Sequence, residues 1–454
     1  MDGNPPRKLR YLPAPADLFR PSLLSAGSAL AKSDGLANGR TSRAEPWTMS
    51  GDLVVVYFSH LGGPMYTHER VTLSVVAETI AQIKGAKFAG LYDNAKNYSG
   101  NVFFVPDDTL VLDEASCLGI RLPTDLFGAV VPYPFAKTKA ITHRLVDPSG
   151  DRPEGWSSAF TEMVQDVVLP GYTAFSVDDA RTAAARLLST GPIRMKEPLA
   201  AGGAGHTVAT TIDEVEAFLE AFPESAITAH GLVVESNLHD VTTVSIGQIT
   251  IDDMTIAYHG TQRVATNNAG CRVYGGSALV CVRGGWKALA RLPMPGAVRL
   301  AAAQAKLYED AMREYPGFMV SRRNYDVAQG LDGEGRRRSG VLEASWRSGG
   351  ASTAELAALR EFAQDPTLLV VEAHAVKLFG RGHEAPRNAV VHYRSNDPDD
   401  GPITRYTMIT RKLKSDEAVH YARHAATLET ALAFYPATGA TRPRLWAMTT
   451  QICG

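Results

Sequence analysis

Two carboxylates, Asp326 and Glu343, flank the glycine-containing turn Leu331-Asp332-Gly333-Glu334-Gly335 almost symmetrically. The runs Tyr325-Asp326-Val327-Ala328 and Val341-Leu342-Glu343 read as paired antiparallel strands, so the two acids are expected opposite or nearly opposite each other. Cross-strand neighbours on one face stand ~5 Å apart at their Cβ atoms. Carboxylates that close repel, at a cost of order 1 kcal/mol or more unless a cation or proton intervenes. Magnesium bridging the phosphates of a nucleotide would relieve the repulsion. An ordinary hairpin with two exposed acids is the alternative.

Directly after Glu343 comes Ser345-Trp346-Arg347-Ser348-Gly349-Gly350-Ala351-Ser352, in which Ser352 and Glu355 are spaced as a capping box for a helix through Phe362. Glycines opening a helix let backbone N–H groups face an anion, and Arg347 adds a charge-assisted fork. A second phosphate-binding candidate is Ala201-Gly202-Gly203-Ala204-Gly205-His206, preceded by the strand Ile193-Arg194-Met195-Lys196. This loop has neither Walker nor dinucleotide spacing and lies between two strands. Lys196 would point at the same phosphates, and a loop of this kind can close over them and exclude water. A structural ion pair for Lys196 is the plainer reading. His143, His206, His239 and His259 have no metal-ligand spacing, and Trp156, Trp286 and Trp346 read as core.

The elements that must position these groups follow from periodicity and punctuation. Residues 1–50 are rich in Pro, Ser, Gly and Arg without sustained periodicity and are expected to form a disordered leader. An N-terminal α/β domain is expected over 51–135, with strands at Leu53 to Phe58, Lys87 to Leu91, Val102 to Val105 and Ala129 to Val131, and a helix at Val71 to Lys84. Ser176 with Asp179, and Thr211 with Glu214, mark helix starts on either side of the glycine loop. Long strands at Val241 to Ile251 and Met254 to Tyr258, joined at Asp252-Asp253, and a helix from Val298 to Tyr315 precede the acidic hairpin. A glycine-loop unit is placed at about 170–235, the carboxylate unit at about 236–385, and a C-terminal extension of unknown role at 386–454. The glycine-dense stretch Asn267 to Gly285 is a candidate lining for an acceptor site.

The chain's 454 residues, 45% of them apolar, exceed what one core usually supports. Lys plus Arg (46) nearly balances Asp plus Glu (48), and the lack of a basic stripe excludes a nucleic-acid partner. The four cysteines, Cys117, Cys271, Cys281 and Cys453, show neither zinc spacing nor disulfide density, which fits a reducing cytosol. No stretch reaches the ~18 apolar residues that span a bilayer. The expectation is a soluble cytoplasmic protein, with a homodimer left open.

The order of the pieces resembles the ATP-grasp superfamily, the nucleotide-binding fold of glutathione synthetase, biotin carboxylase and D-alanine ligase. The resemblance runs over about 51–385. It rests on a lysine on a helix, Lys139 in Thr138-Lys139-Ala140-Ile141-Thr142-His143; a lysine strand before a glycine loop, Lys196 and Gly202-Gly203-Ala204-Gly205; an acidic strand end, Val233-Val234-Glu235; and Asp326 followed by Leu342-Glu343-Ala344-Ser345. It implies an α+β chain, an ATP-grasp fold preceded by an open α/β layer. It further implies that Lys139, Lys196, Gly202, Gly203 and Gly205 contact ATP phosphates, that Glu235 holds the adenosine end, that Asp326 and Glu343 bind Mg2+, and that Arg347 with Lys196 stabilises the transferring phosphoryl group. The sequence departs from the pattern at Ser345, where the family has a metal-binding Asn, and at Asn324, where it has an Arg. The whole chain also resembles an uncharacterised proteobacterial family classed only as a domain of unknown function.

The activity so implied is a ligase that activates a carboxylate as an acyl-phosphate and joins it to an amine or other nucleophile, with small molecules as partners. The alternatives are a kinase on the same fold and a nucleotide-binding regulatory protein whose catalysis has decayed.

Overall fold

Five consecutive buried residues, Leu53–Tyr57, make β1, a strand covered on both sides as parallel sheets require. It lies between β2 (Lys87–Leu91) and β3 (Val102–Pro106), parallel to both. The crossover helix α1 (Thr67–Lys84) buries Leu73, Val76, Ala77, Ile80 and Ala81 at helical spacing and stops at Gly85, whose φ of 64° suits a residue without Cβ. The protein is described here by a computed structural model covering residues 48–59, 65–200, 205–414 and 417. The leader expected at 1–50, for all but its last three residues, and Gly202 and Gly203 lie outside the described residues.

A second layer is built from β4 (Gly171–Ala174), α2 (Val177–Leu188), β5 (Ile193–Lys196), β6 (His206–Ala209), α3 (Ile212–Ala221) and β7 (Leu232–Ser236). The sheet order is β6-β5-β7-β4, all antiparallel. The Thr211 and Glu214 side chains form the reciprocal capping box, and Ser176 accepts from the Asp179 N–H. Strand alternation sends Ile193 and Met195 into a core with Ala183, Leu187, Val215 and Leu219. It therefore sends Arg194 and Lys196 to the opposite face. Burying aliphatic side chains at ~1.5–3 kcal/mol each holds the face that carries the lysine in place.

Eight long strands follow: β8 (His239–Ile251), β9 (Met254–Thr266), β10 (Arg272–Arg283), β11 (Arg322–Leu331), β12 (Arg337–Ser345), β13 (Leu368–Phe379), β14 (Val390–Asp397) and β15 (Gly401–Lys414). They form one antiparallel sheet in the order β12-β11-β8-β9-β10-β13-β15-β14. Helix α4 (Gly296–Ala311) packs on one face, where Val244 and Ile246 meet Ala301, Ala305 and Tyr308. Helix α5 (Ser352–Gln364), together with α1, covers part of the other face around Ile249, Ile251, Leu279 and Cys281. Trp346 is buried in the α4 core, with Trp156 and Trp286 packed at its margin.

Several boundaries differ from the sequence expectation. The Val298 helix starts at Gly296 and ends at Ala311, and a 3₁₀ turn at Met312–Glu314 completes it. Lys139 sits not on a full helix but on a single 3₁₀ turn, Lys139–Thr142, capped by the Thr138 hydroxyl. The capping box expected from Ser352 and Glu355 does not form. Ser352 Oγ accepts from Gly349 N at 3.0 Å, whereas Glu355 points into the sheet and pairs with Arg322. A fully buried carboxylate needs a cation more than a helix needs a second cap. Residues 390–414 of the expected C-terminal extension are β14 and β15 of the large sheet.

Candidate active site

Asp326 and Glu343 are direct partners across β11 and β12, and a β-bulge makes them so. Asp326 pairs with Glu343, but the next pair is Val327 with Val341, leaving Leu342 as the extra residue. Val341 and Glu343, two apart, would share a face on a regular strand. The bulge turns Val341 into the core with Val327 and aims Glu343 to Asp326's side.

Asp326 is held by three donors: Ser245 Oγ at 2.8 Å and Asn324 Nδ2 at 3.0 Å on Oδ1, and Gln262 Nε2 at 2.7 Å on Oδ2. Burial and then the neighbouring Glu343 push its pKa up despite these bonds. Burial pushes Glu343 up as well, but Lys139, with Lys196 and Arg347 behind it, outweighs burial and leaves its pKa lowered. The Lys139 ammonium stands 3.0 Å from Glu343 Oε2 and also donates to the Ala200 carbonyl at the root of the glycine loop. Its 3₁₀ turn is tied to β4 by Thr173 Oγ1, which donates to Ala140 O at 2.8 Å.

The facing wall comes from the small sheet. Lys196 Nζ lies 2.5 Å from Glu235 Oε1, and His143 Nε2 lies 3.1 Å from Glu235 Oε2, with both lysine and acid about 1% exposed. Glu235 is thus committed to two basic partners. Glycine at 171 permits this, since a Cβ there would stand 2.8 Å from the His143 ring. His206 is the register partner of Lys196. Burial, then Lys196, Lys139 and Arg194, lower its pKa to about 4, so it is neutral at pH 7 within a cationic field. Arg194 reaches Asn237 Oδ1 at 2.7 Å. Gly205, with φ of 64°, closes the described end of the glycine loop, its carbonyl accepting from Glu197 N.

Beneath the acid pair lies a buried scaffold. Arg322 Nη2 and Nε meet Glu355 at 2.7 and 3.1 Å, and Nη1 donates to the carbonyls of Ser345 and Arg347 at 3.0 and 2.5 Å. Tyr258 Oη lies 2.6 Å from Glu355 and 3.0 Å from Asn324 Oδ1. One arginine thereby ties the end of β12, the loop after it and α5 together. Arg347 itself is part-exposed, with Nε 3.7 Å from Asp108 of the N-terminal layer.

The structure brings Lys139, Lys196, Glu235, Asp326 and Glu343 together and sets Arg347 at their margin. Sequence reasoning missed His143, His206, Arg194, Ser245, Gln262 and Arg322. Of these only Arg194 carried a signal, two residues before Lys196 on the same strand face. Among the described residues no cluster of three or more His, Cys, Asp or Glu could cage a metal. The donor set, two hard carboxylates facing each other, fits a magnesium ion that takes its other ligands from phosphate and water, as that ion usually does. Ser345 Oγ, on the same face, sits 3.4 Å from Arg322 Nη1.

Lys196 on the small antiparallel sheet and Lys139 on its 3₁₀ turn thus stand with a carboxylate pair of the large sheet. The chain belongs to the family described as "Protein of unknown function (DUF3182)", whose profile matches residues 57–407. No curated protein matches the sequence. Similar solved structures include phosphoribosylamine–glycine ligase from Thermotoga maritima, at 13% identity over 82% of this chain and 96% of that one, TM-score 0.43. Biotin carboxylase from Campylobacter jejuni, in a β-γ-ATP complex, is 11% identical over 81% and 95%, TM-score 0.43. The biotin carboxylase domain of Hydrogenobacter thermophilus 2-oxoglutarate carboxylase, with MgADP, ADP and bicarbonate, is 13% identical over 86% and 91%, TM-score 0.44. No helix among the described residues is long and apolar enough to cross a membrane.

Proposed function

We propose that the chain is an ATP- and magnesium-dependent ligase that activates a carboxylate as an acyl-phosphate and joins it to an amine or other nucleophile. The observation that carries this reading is the Asp326–Glu343 pair with Lys139 in contact with Glu343 and with Lys196 and His206 grouped around it. Lys139 and Lys196 would contact the phosphates, together with Gly202, Gly203 and Gly205 of the glycine loop. Glu235, the residue expected at the adenosine end, holds Lys196 and His143 in place. Asp326 and Glu343 would hold magnesium, which supplies neutralisation of phosphate charge when bound. In the proposed reaction a substrate carboxylate oxygen attacks the γ-phosphorus as ADP leaves, and the nucleophile then displaces inorganic phosphate from the acyl-phosphate. Arg347 lies beside Glu343 to balance charge on the transferring group.

The test is a thermal-shift titration with ATP and ADP, with and without magnesium, on wild type and Glu343→Gln. A ligand at ~100 times its Kd adds ~2.7 kcal/mol of stability, well within reach of a melting curve. Magnesium-dependent stabilisation of wild type, lost in the variant, is the expected result. Absence of any nucleotide effect on wild type overturns the reading, and nucleotide binding without ADP release under a broad substrate screen favours the decayed alternative.

A further inference from the structure

A cavity of about 160 Å³ lies between the small sheet and the turn of the acidic hairpin, lined by Arg186, Thr190, Ser236, Asp332, Arg336 and Arg338. One water needs ~10–15 Å³ of such space, so the cavity admits a small polyatomic ligand.

Local sequence places these groups. Arg186 stands on the last turn of α2, whose Ala183, Ala184 and Leu187 pack against Ile193. Gly191 and Gly333 let the loop after α2 meet the hairpin turn, since a Cβ on Gly191 would stand 2.7 Å from Gly333 Cα. Ser236 is the register partner of Ile193 and shares its face, whereas Glu235 pairs with Arg194 and points to the other side. The cavity therefore opens on the helix-covered face of the small sheet, and Lys196 and Glu235 lie on the opposite one.

The acids at the cavity are already committed. Asp332 Oδ1 accepts from Glu334 N at 3.0 Å and Arg336 N at 2.9 Å, which holds the turn. Its Oδ2 accepts from Arg336 Nε at 3.1 Å and Arg338 Nε at 2.8 Å. Glu334 pairs with Arg336 as well. Three guanidiniums thus meet two carboxylates, and Arg186 is the one left over. It donates from Nη1 to Val146 O at 3.0 Å and lies 5.7 Å from the centre of the Tyr172 ring. Asp147 acts on it only at longer range, and among the described residues no carboxylate forms an ion pair with it. Nε and Nη2 of Arg186, both Nη atoms of Arg338 and the Ser236 hydroxyl make no hydrogen bond to the described residues.

We propose that this cavity binds a small oxyanion, a phosphate group or a carboxylate, on the Nε–Nη2 edge of Arg186 and the two Nη atoms of Arg338, with Ser236 as a neutral donor. Each guanidinium presents a planar pair of donors that fits two oxygens of such a group. Arg186 belongs to the helix behind β5 and Arg338 to β12, so the bound group clips α2 to the acidic hairpin and stabilises their packing. Arg338 lies five residues before Glu343 on β12, ~16 Å at ~3.3 Å per residue, too far for one phosphate group to touch both. The site stands independently of the nucleotide reading.

The experiment titrates the full chain with inorganic phosphate and with succinate at constant ionic strength in chloride, following thermal melting and heat of binding. The variants are Arg186→Gln and Arg338→Gln, with MgATP titrated in parallel. Saturable stabilisation of wild type by one of the two anions is expected, weakened at least 10-fold in each variant while the MgATP response is unchanged. Preference for phosphate assigns a phosphate group, and preference for succinate a carboxylate. Arg338→Gln also takes a partner from Asp332, so if it fails to fold, Arg186→Gln, at an exposed side chain, decides. An anion effect absent from wild type, or retained at full strength in Arg186→Gln as binding at Lys139 and Lys196 would be, overturns the proposal, whatever MgATP does.

Discussion

The Lys139 ammonium and the Glu343 carboxylate meet at 3.0 Å, joining the root of the glycine loop to the acidic hairpin. The contact ties the 3₁₀ turn of Lys139 to the large sheet through the residues proposed to handle phosphate and metal. A bound cation and polyphosphate would divide this pair between them, each half gaining a partner of opposite charge.

Glu343→Gln keeps the shape of the side chain and removes its charge. Turnover is expected to fall about 10²–10³-fold, in line with loss of a single charge-stabilising group, while circular dichroism stays unchanged. Measured ADP release close to wild type would remove Glu343 from the site.

Arg322→Met leaves Glu355 buried beside Tyr258 without its cation. A loss of about 3–5 kcal/mol in urea unfolding is expected, and the double variant Arg322→Met/Glu355→Leu should recover part of it. Additive losses would show that the pair does not act as a unit.

Burial pushes the Glu235 carboxyl up, but Lys196 and then His143 outweigh it and leave its pKa at about 2, against an ordinary 4.5. The unfolded chain therefore binds the extra proton. The stabilisation is present above about pH 4.5 and is lost as pH falls toward about 2. Unfolding free energies across this window should fall less steeply for Glu235→Gln than for wild type, and identical slopes would contradict the assignment.

His206 is held near pKa 4 by burial and by Lys196, Lys139 and Arg194. A bound polyphosphate offsets that positive field, so the imidazole pKa should rise when MgATP is added. NMR titration of histidine-labelled protein reads this directly, and an unmoved resonance would place the nucleotide elsewhere.

Much of the fold was legible because it is written in local patterns. The all-buried run at Leu53, the Thr211–Glu214 capping box and the Asp252-Asp253 turn each depend on residues a few positions apart. The lysines, the glycine loop and the acidic hairpin were legible as candidates by type and order. Ser352 and Glu355 show the limit, since the same spacing that marks a cap also suits a buried glutamate, and Arg322 settles which one forms.

By itself the sequence determined several of the strands, which of their residues alternate toward a core, and that two acids flank one turn, because these follow from short-range sterics and hydrophobic periodicity; the strands over 368–414 were not among them. Tertiary structure alone decided that Leu342 bulges so that Glu343 faces Asp326, that His143 rather than solvent completes Glu235, and that Arg186 and Arg338 line one cavity. Register, bulges and ion-pair choice are set by contacts between segments far apart in the chain, where the energy depends on which partners packing brings within a few ångströms.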